Sequence, residues 1–140
     1  MDRISEHISY EEAIRSQYAT RHKIDNTPGA IELANMKIVA DTCFEPMRKF
    51  WGKPLTISSF FRCVLLNTGI GGSKTSDHPK GKSIDVDTGS NADNKKLFDW
   101  AKANLKFDQL IWEYGDEHGP SWVHISFDKG SNRNQVITIK

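Results

Sequence analysis

The N-terminal third of the chain carries apolar residues at helical spacing. Ser9 stands three residues before Glu12, the arrangement of a capping box, and predicts a helix over residues 9–21. A proline and a glycine then interrupt the pattern, as they do in turns. Apolar residues return at helical spacing through 31–50 and predict a second, longer helix that is bent near Pro46.

The rest of the chain is dominated by patterns typical of strands. Segments that are rich in β-branched and aromatic residues, or that alternate apolar with polar residues, are 53–62, 83–87, 108–114, 122–127 and 135–140. One further helix is predicted over 91–105. Helices followed mostly by strands predict an α+β fold with a small, largely antiparallel sheet, N-terminal helices and one helix between the strands that carry the candidate site.

The length of the chain indicates one domain over residues 1–140, which is long enough to bury a core without disulfides. Cys43 and Cys63 match no metal or redox spacing, so we expect buried free thiols.

The charge pattern argues against several classes of partner. The net charge is +1 with acidic and basic residues intermixed, which is not the footprint of a protein that binds nucleic acid or an anionic membrane. No run approaches the ~18 apolar residues of a membrane span, and the N-terminus lacks the apolar stretch of an export signal. We therefore expect a monomer that is made in the cytosol, binds no nucleic acid and has no membrane span.

The stretch "SDHPKGKSIDVD", residues 76–87, suggests metal chemistry. Its second half alternates apolar and acidic residues, which places Asp85 on one face of a half-buried strand near His78. In the segment 122–127, a period of two places His124 on a face with other polar groups. Two histidines and an aspartate form the three-ligand set of catalytic zinc, which leaves a fourth position open.

Each of these residues also has an ordinary structural interpretation. A lone histidine in a strand is usually a satisfied core or surface residue, and Asp85 could cap a turn or pair with Lys82. No local zinc motif such as HExxH is present. Spacing alone therefore leaves the metal site open.

A resemblance adds to this pattern. "SDHPKGKSIDVD", followed by "FDQLIWE" and "WVHIS", resembles the superfamily of zinc D-Ala-D-Ala carboxypeptidases and phage L-alanyl-D-glutamate endopeptidases, whose fold is also that of the hedgehog N-terminal signalling domain. Nearly the whole chain fits, and "NTPG" and "FEPMRKFWGKPLTISS" resemble the compact phage or prophage-type members. The resemblance implies a Zn2+ site at His78, Asp85 and His124.

The resemblance also implies the catalytic base. In compact and hedgehog-like members a glutamate closes the strand that matches "FDQLIWE", which is Glu113 here. Strand parity places Ile111 and Glu113 on one face, so Glu113 reaches the metal if that face turns inward. Glu117, in the polar loop that follows, is the competing base, and Glu113 could instead be a surface charge at a strand end.

The resemblance also implies two residues that bind substrate. Arg62 matches the family arginine that contacts substrate, where a guanidinium can bind a carboxylate in bidentate fashion. Ser76 matches the serine of the Ser-x-His element. Their ordinary interpretations are a local salt bridge and a loop serine bonded to backbone.

The chain also departs from its relatives near the third ligand. Some of them carry a histidine where Trp122 stands, and others carry an acid where Ser121 stands. His118 could substitute for the missing histidine from its loop, although an exposed histidine without a role is the simpler account.

The implied function is a zinc metallopeptidase that hydrolyses peptidoglycan stem peptides and reaches the cell wall after release or delivery, in association with a phage. The alternatives are a non-catalytic cell-wall or partner-binding module on the same fold, with structural zinc, and a metal-free protein of a phage particle.

Overall fold

A computed structural model describes residues 3–140 of the chain. The α-helices are α1 (Tyr10–Ile14), α2 (Gln17–Arg21), α3 (Ala30–Val39), α4 (Glu45–Trp51), α5 (Val64–Gly69) and α6 (Asn91–Asn104). The strands are β1 (Arg3–Ser5), β2 (Ile8–Ser9), β3 (Thr56–Ser59), β4 (Ser83–Asp87), β5 (Gln109–Glu113), β6 (Trp122–Ser126) and β7 (Gln135–Ile139). None of the helices in this part of the chain is both long and apolar enough to cross a membrane.

The main sheet has five strands in the order β3-β4-β6-β5-β7. Its neighbouring strands are antiparallel except β5 and β7, which run parallel. A small hairpin of β1 and β2 precedes the helices. The predicted α+β class, with N-terminal helices and a largely antiparallel sheet, is confirmed, and α6 lies between β4 and β5 as predicted.

Alternation along the central strands separates the core from the site. Ile84 and Val86 of β4, and Val123 and Ile125 of β6, are fully buried and join apolar residues of α3, α4 and α6 in one core. The residues between them point to the opposite face of the sheet, because successive side chains in a strand alternate. Asp85 and His124 belong to that opposite face, and they stand opposite each other in the β4–β6 register.

The predicted first helix is two short helices. The capping box of Ser9 and Glu12 is present at the start of α1. The chain then extends at Arg15, and the Ser16 hydroxyl accepts a hydrogen bond from the Ala19 backbone N–H to start α2. A second cap inside the predicted helix therefore divides it.

The second long helix is interrupted before Pro46, where the sequence predicts a bend. A π-helical turn, Ala40–Phe44, joins α3 to α4, and Pro46 lies in the first turn of α4. The π-helical turn changes the hydrogen-bond register immediately before Pro46, which has no N–H to donate.

The strand predicted to reach Arg62 ends at Ser59, and the unpredicted helix α5 follows. Buried Asn26 fixes this segment, because its amide donates to the carbonyls of Ile14 and Phe61 and accepts from the Cys63 N–H. Cys43 and Cys63 are free thiols, as predicted, although only Cys43 is buried.

Candidate active site

His78 is held in one orientation by the backbone. It opens a 3-10 turn, His78–Lys80, and its side chain is 1% exposed. The ring Nδ1 lies 2.6 Å from the carbonyl oxygen of Phe60, so Nδ1 carries the proton and donates. The other nitrogen, Nε2, is buried and has no hydrogen-bond partner among residues 3–140.

Gly81 lets the His78 turn pack closely on α3. Its φ is +74°, and a side chain at this position would collide with the carbonyl oxygen of Glu32. Asn35 of α3 donates to the carbonyl of Lys80 at 3.0 Å. The "HPKG" turn thus packs against α3 and holds His78 beside β4.

Asp85 stands between two imidazoles. Its Oδ2 lies 3.3 Å from His78 Nε2, and its Oδ1 lies 2.8 Å from His124 Nδ1. One potential ligand atom from each of the three residues lies within 4.8 Å of the others, and all three residues are buried. The structure therefore brings together the three residues predicted to bind metal.

The electrostatics of the three residues are coupled. Burial alone would raise the pKa of Asp85, but the charge of His78 and the hydrogen bond from His124 outweigh it and hold the pKa well below its usual range. Burial alone would lower the pKa of His124, but the Asp85 carboxylate raises it. The pocket thus favours an ionised carboxylate.

Glu113 faces this group. It stands opposite Trp122 in the β5–β6 register, and its Oε1 lies 3.6 Å from His124 Nδ1. Its side chain is 17% exposed, and burial, followed by the charge of Asp85, raises its pKa. Glu117 has an 82% exposed side chain that pairs with His118 at 3.4 Å, and neither lines the cavity at the candidate site.

Arg62 and Ser76 line the same cavity. Arg62 Nε is buried without a hydrogen-bond partner in residues 3–140, and burial lowers the pKa of this arginine, opposed by Asp85 and Glu113. The Ser76 hydroxyl accepts a hydrogen bond from the His78 backbone N–H at 3.2 Å. Ser76 therefore shapes the loop of His78 and also faces the cavity.

The cavity measures about 510 Å³ and is lined by a loop on one side and by the sheet on the other. Its loop side is the glycine-rich segment 70–77, and its sheet side includes Gln109, Ile111 and Ile139. Trp122 occupies the place where some relatives carry a histidine, with its ring 5.5 Å from that of Tyr114 in an edge-on contact. Its Nε1 is buried and has no partner in the described residues.

Sequence reasoning missed Asn94, which supports the site from α6. Its amide donates to Asp87 Oδ1 and to the carbonyls of Pro120 and Ser121, at 3.0 to 3.1 Å. Its oxygen accepts from the N–H and hydroxyl of Thr88. The signal was present, because position 94 falls on the buried face of α6 with positions 97, 98 and 101.

Comparison with protein families identifies the relatives. A family model described as Peptidase M15 matches residues 6–126, which include the three clustered residues and Glu113. The chain belongs to the Peptidase M15 family. The resemblance found in the sequence is confirmed at this level, while the phage or prophage type stays a prediction. Comparison with curated proteins gives no match.

The motifs that resemble the M15 family meet in the folded chain. The motifs that carried the resemblance, in the His78 loop and in β4, β5 and β6, converge on one cavity although they span residues 76–126. In this member of the M15 family, two histidines, an aspartate and a glutamate thus meet in one cavity.

Proposed function

We propose that this M15 chain is a zinc peptidase that hydrolyses peptide bonds in the stem peptides of peptidoglycan. The observation that carries the proposal is the meeting of His78, Asp85 and His124 with Glu113 in one cavity. The substrate class is taken from the family and from the resemblance of the motifs.

The three clustered residues fit zinc. Because Nδ1 of His78 donates to Phe60, the lone pair of Nε2 is buried 3.3 Å from the Asp85 carboxylate without a hydrogen bond, an arrangement that a bound cation would satisfy. Two imidazoles and one carboxylate are a donor set that catalytic zinc uses. A bound zinc ion would act as a Lewis acid that polarises the substrate carbonyl and makes an attacking water more acidic.

Glu113 is the general base. Its carboxylate lies in the cavity, 3.6 Å from His124 Nδ1, and so within reach of a water that attacks a peptide carbonyl held there. Glu113 takes a proton from that water and returns it to the leaving amine. Glu117 is exposed and does not line the cavity, so it does not suit this role.

Arg62 and Ser76 hold the substrate. Arg62 lines the cavity, and its guanidinium suits a carboxylate or carbonyl of the substrate. Because the Ser76 oxygen already accepts from His78 N–H, the hydroxyl proton is free to donate to a substrate carbonyl.

The test is Glu113→Gln, with Glu117→Gln as the matched control. Hydrolysis of purified muropeptides is followed by chromatography, and zinc content and circular dichroism are measured in parallel. Glu113→Gln should keep zinc and fold but lose roughly 10² to 10⁴ in turnover, the usual contribution of positioned acid–base catalysis. Glu117→Gln should match the wild type.

Two other outcomes would contradict the proposal. Unchanged turnover in Glu113→Gln would remove this residue as the base. If the wild type bound wall fragments without hydrolysing them, and Glu113→Gln bound them equally, the chain would be a binding module with structural zinc.

A further inference from the structure

Tyr114 directly follows β5, and its side chain lies on a face of the sheet that its position in the sequence does not predict. Alternation along β5 would place Tyr114 on the face of Trp112, whose ring packs edge-on against Phe98 of α6. The Tyr114 ring instead lies 5.5 Å from the ring of Trp122, which shares its face of β6 with His124. Tyr114 thus lines the cavity of the candidate active site.

A left-handed backbone conformation accounts for this change of face. The φ of Tyr114 is +55°, a region that residues other than glycine seldom adopt. Gly115 follows with a φ of +85°, and a side chain there would collide with the carbonyl oxygen of Gly119. Two successive left-handed residues end the alternation of the strand, so parity no longer decides the direction of the Tyr114 side chain.

Backbone contacts on both sides of Tyr114 hold this conformation. The Tyr114 N–H donates to the Ile139 carbonyl at 2.7 Å, and the Tyr114 carbonyl accepts a hydrogen bond from Trp112 Nε1 at 3.0 Å. In the turn that follows, the Asp116 N–H donates to the Gly119 carbonyl at 3.0 Å. A conformation that is unfavourable for tyrosine persists when its surroundings enforce it, and such residues concentrate at functional sites.

The Tyr114 side chain does not fill the core. It is 50% exposed, and its aromatic partner within residues 3–140 is Trp122. Ile111 and Ile139 line the same cavity, and Ile139 stands opposite Glu113 in the β5–β7 register. The Tyr114 ring therefore extends an apolar wall beside Glu113, and a ligand in the cavity can cover its exposed surface.

The position of this wall indicates what it would contact. Tyr114 is the residue after Glu113, and both line one cavity. A peptide whose carbonyl lies near Glu113 must continue from there along the walls of the cavity. Stem peptides carry alanine methyl groups, and an aromatic ring offers such groups an apolar surface on which to pack.

We propose that Tyr114 is a substrate-binding residue whose ring packs against an alanine side chain of the stem peptide, beside the bond that is cleaved near Glu113. This inference rests on the proposed peptidase function and adds a specificity-determining residue to it. The ring, and not the phenolic hydroxyl, makes the contact.

The contribution of the ring is tested by calorimetry with the stem pentapeptide in the Glu113→Gln protein, where turnover is slow. Adding Tyr114→Asn removes the ring and keeps a residue that tolerates the left-handed backbone. We expect roughly tenfold weaker binding, the contribution of about 55 Å² of buried apolar surface. Tyr114→Phe should recover most of the affinity, to within about twofold. The matched control is Phe50→Ala, which removes a half-exposed ring that stacks on Trp100 outside the cavity and should leave the affinity unchanged.

Nuclear Overhauser effects test whether the ring touches the peptide or acts through Trp122. The chain has three tyrosines, so in tyrosine-labelled Glu113→Gln the ring signals of Tyr114 are identified by their loss in Tyr114→Phe. With unlabelled pentapeptide bound, we expect contacts between the Tyr114 ring protons and alanine methyl protons of the peptide. Tyr10 and Tyr18, which do not line the cavity, should show none.

The outcomes separate this inference from the peptidase proposal. Unchanged affinity in Tyr114→Asn, or a bound peptide without contacts to the Tyr114 ring, would exclude Tyr114 as a substrate-binding residue while the peptidase proposal stands. A loss in Tyr114→Phe as large as that in Tyr114→Asn would assign the contact to the hydroxyl and overturn the role of the ring. A Glu113→Gln protein that failed to bind the pentapeptide would overturn the inference, and if the wild type also failed to hydrolyse it, the peptidase proposal would be wrong as well.

Discussion

Replacing Asn94 by alanine should destabilise the fold beside the candidate active site. Asn94 is fully buried, and its side chain bonds with Asp87, Thr88 and the carbonyls of Pro120 and Ser121. These contacts join α6 to the end of β4 and to the segment that enters β6.

The size of the effect follows from the groups that lose their partner. Asp87 keeps a bond from Gly89 N–H, so its loss is partly compensated. The Thr88 N–H and the Pro120 carbonyl lose the bonds that Asn94 supplies. At about 1–3 kcal/mol for each buried group left unpaired, the free energy of unfolding should fall by about 3 kcal/mol. For a chain of this length the midpoint temperature should drop by about 10 °C.

Thermal and urea unfolding of the two proteins measure this difference. The matched control is Asn104→Ala, at the exposed last residue of the same helix, where the amide donates only to the Trp100 carbonyl. We expect this control to lie within about 0.5 kcal/mol of the wild type. If Asn94→Ala lost no more stability than Asn104→Ala, the bonding of the buried amide would not be what holds α6 to β4.

Two further predictions concern metal and pH. Replacing His78, Asp85 or His124 by alanine should abolish the retention of zinc after dialysis, as measured by elemental analysis, whereas His118→Ala should retain zinc. Full zinc occupancy in one of the three ligand variants would remove that residue from the ligand set. Hydrogen bonds from Arg133, 2.8 and 2.9 Å long, hold the pKa of Asp108 below its usual range. The stability that this adds is present above the ordinary carboxyl pKa of about 3.9 and is lost as the pH falls through the lower folded-state value. Asp108→Asn should therefore reduce the free energy of unfolding at neutral pH, and this free energy should decline less steeply below about pH 4 than in the wild type. The control is Asp99→Asn, which removes only an exposed ion pair on α6 and should leave the pH dependence unchanged. Parallel acid-unfolding curves for Asp108→Asn and the wild type would contradict this.

Local pattern was enough to predict most elements. The alternation in 83–87 and 122–127 predicted both which residues enter the core and that Asp85 and His124 lie on the other face, because side-chain direction in a strand depends only on parity. The capping box at Ser9 and the apolar positions of α6 were also readable, since both depend on residues within a few positions of each other.

Contacts between distant residues decided the rest. Asn26 pins the carbonyls of Ile14 and Phe61, and no pattern within either segment indicates that bond. The parallel pairing of β7 with β5 likewise depends on a partner far along the chain.

The residues of the candidate active site show the same division. The sequence by itself indicated which residues could meet, because spacing and strand parity suggested His78, Asp85 and His124, and the family resemblance supported this set and added Glu113. Only the tertiary structure decided that Glu113 turns inward, since a face of β5 becomes an interior or an exterior face only when β6 and the helices pack against it.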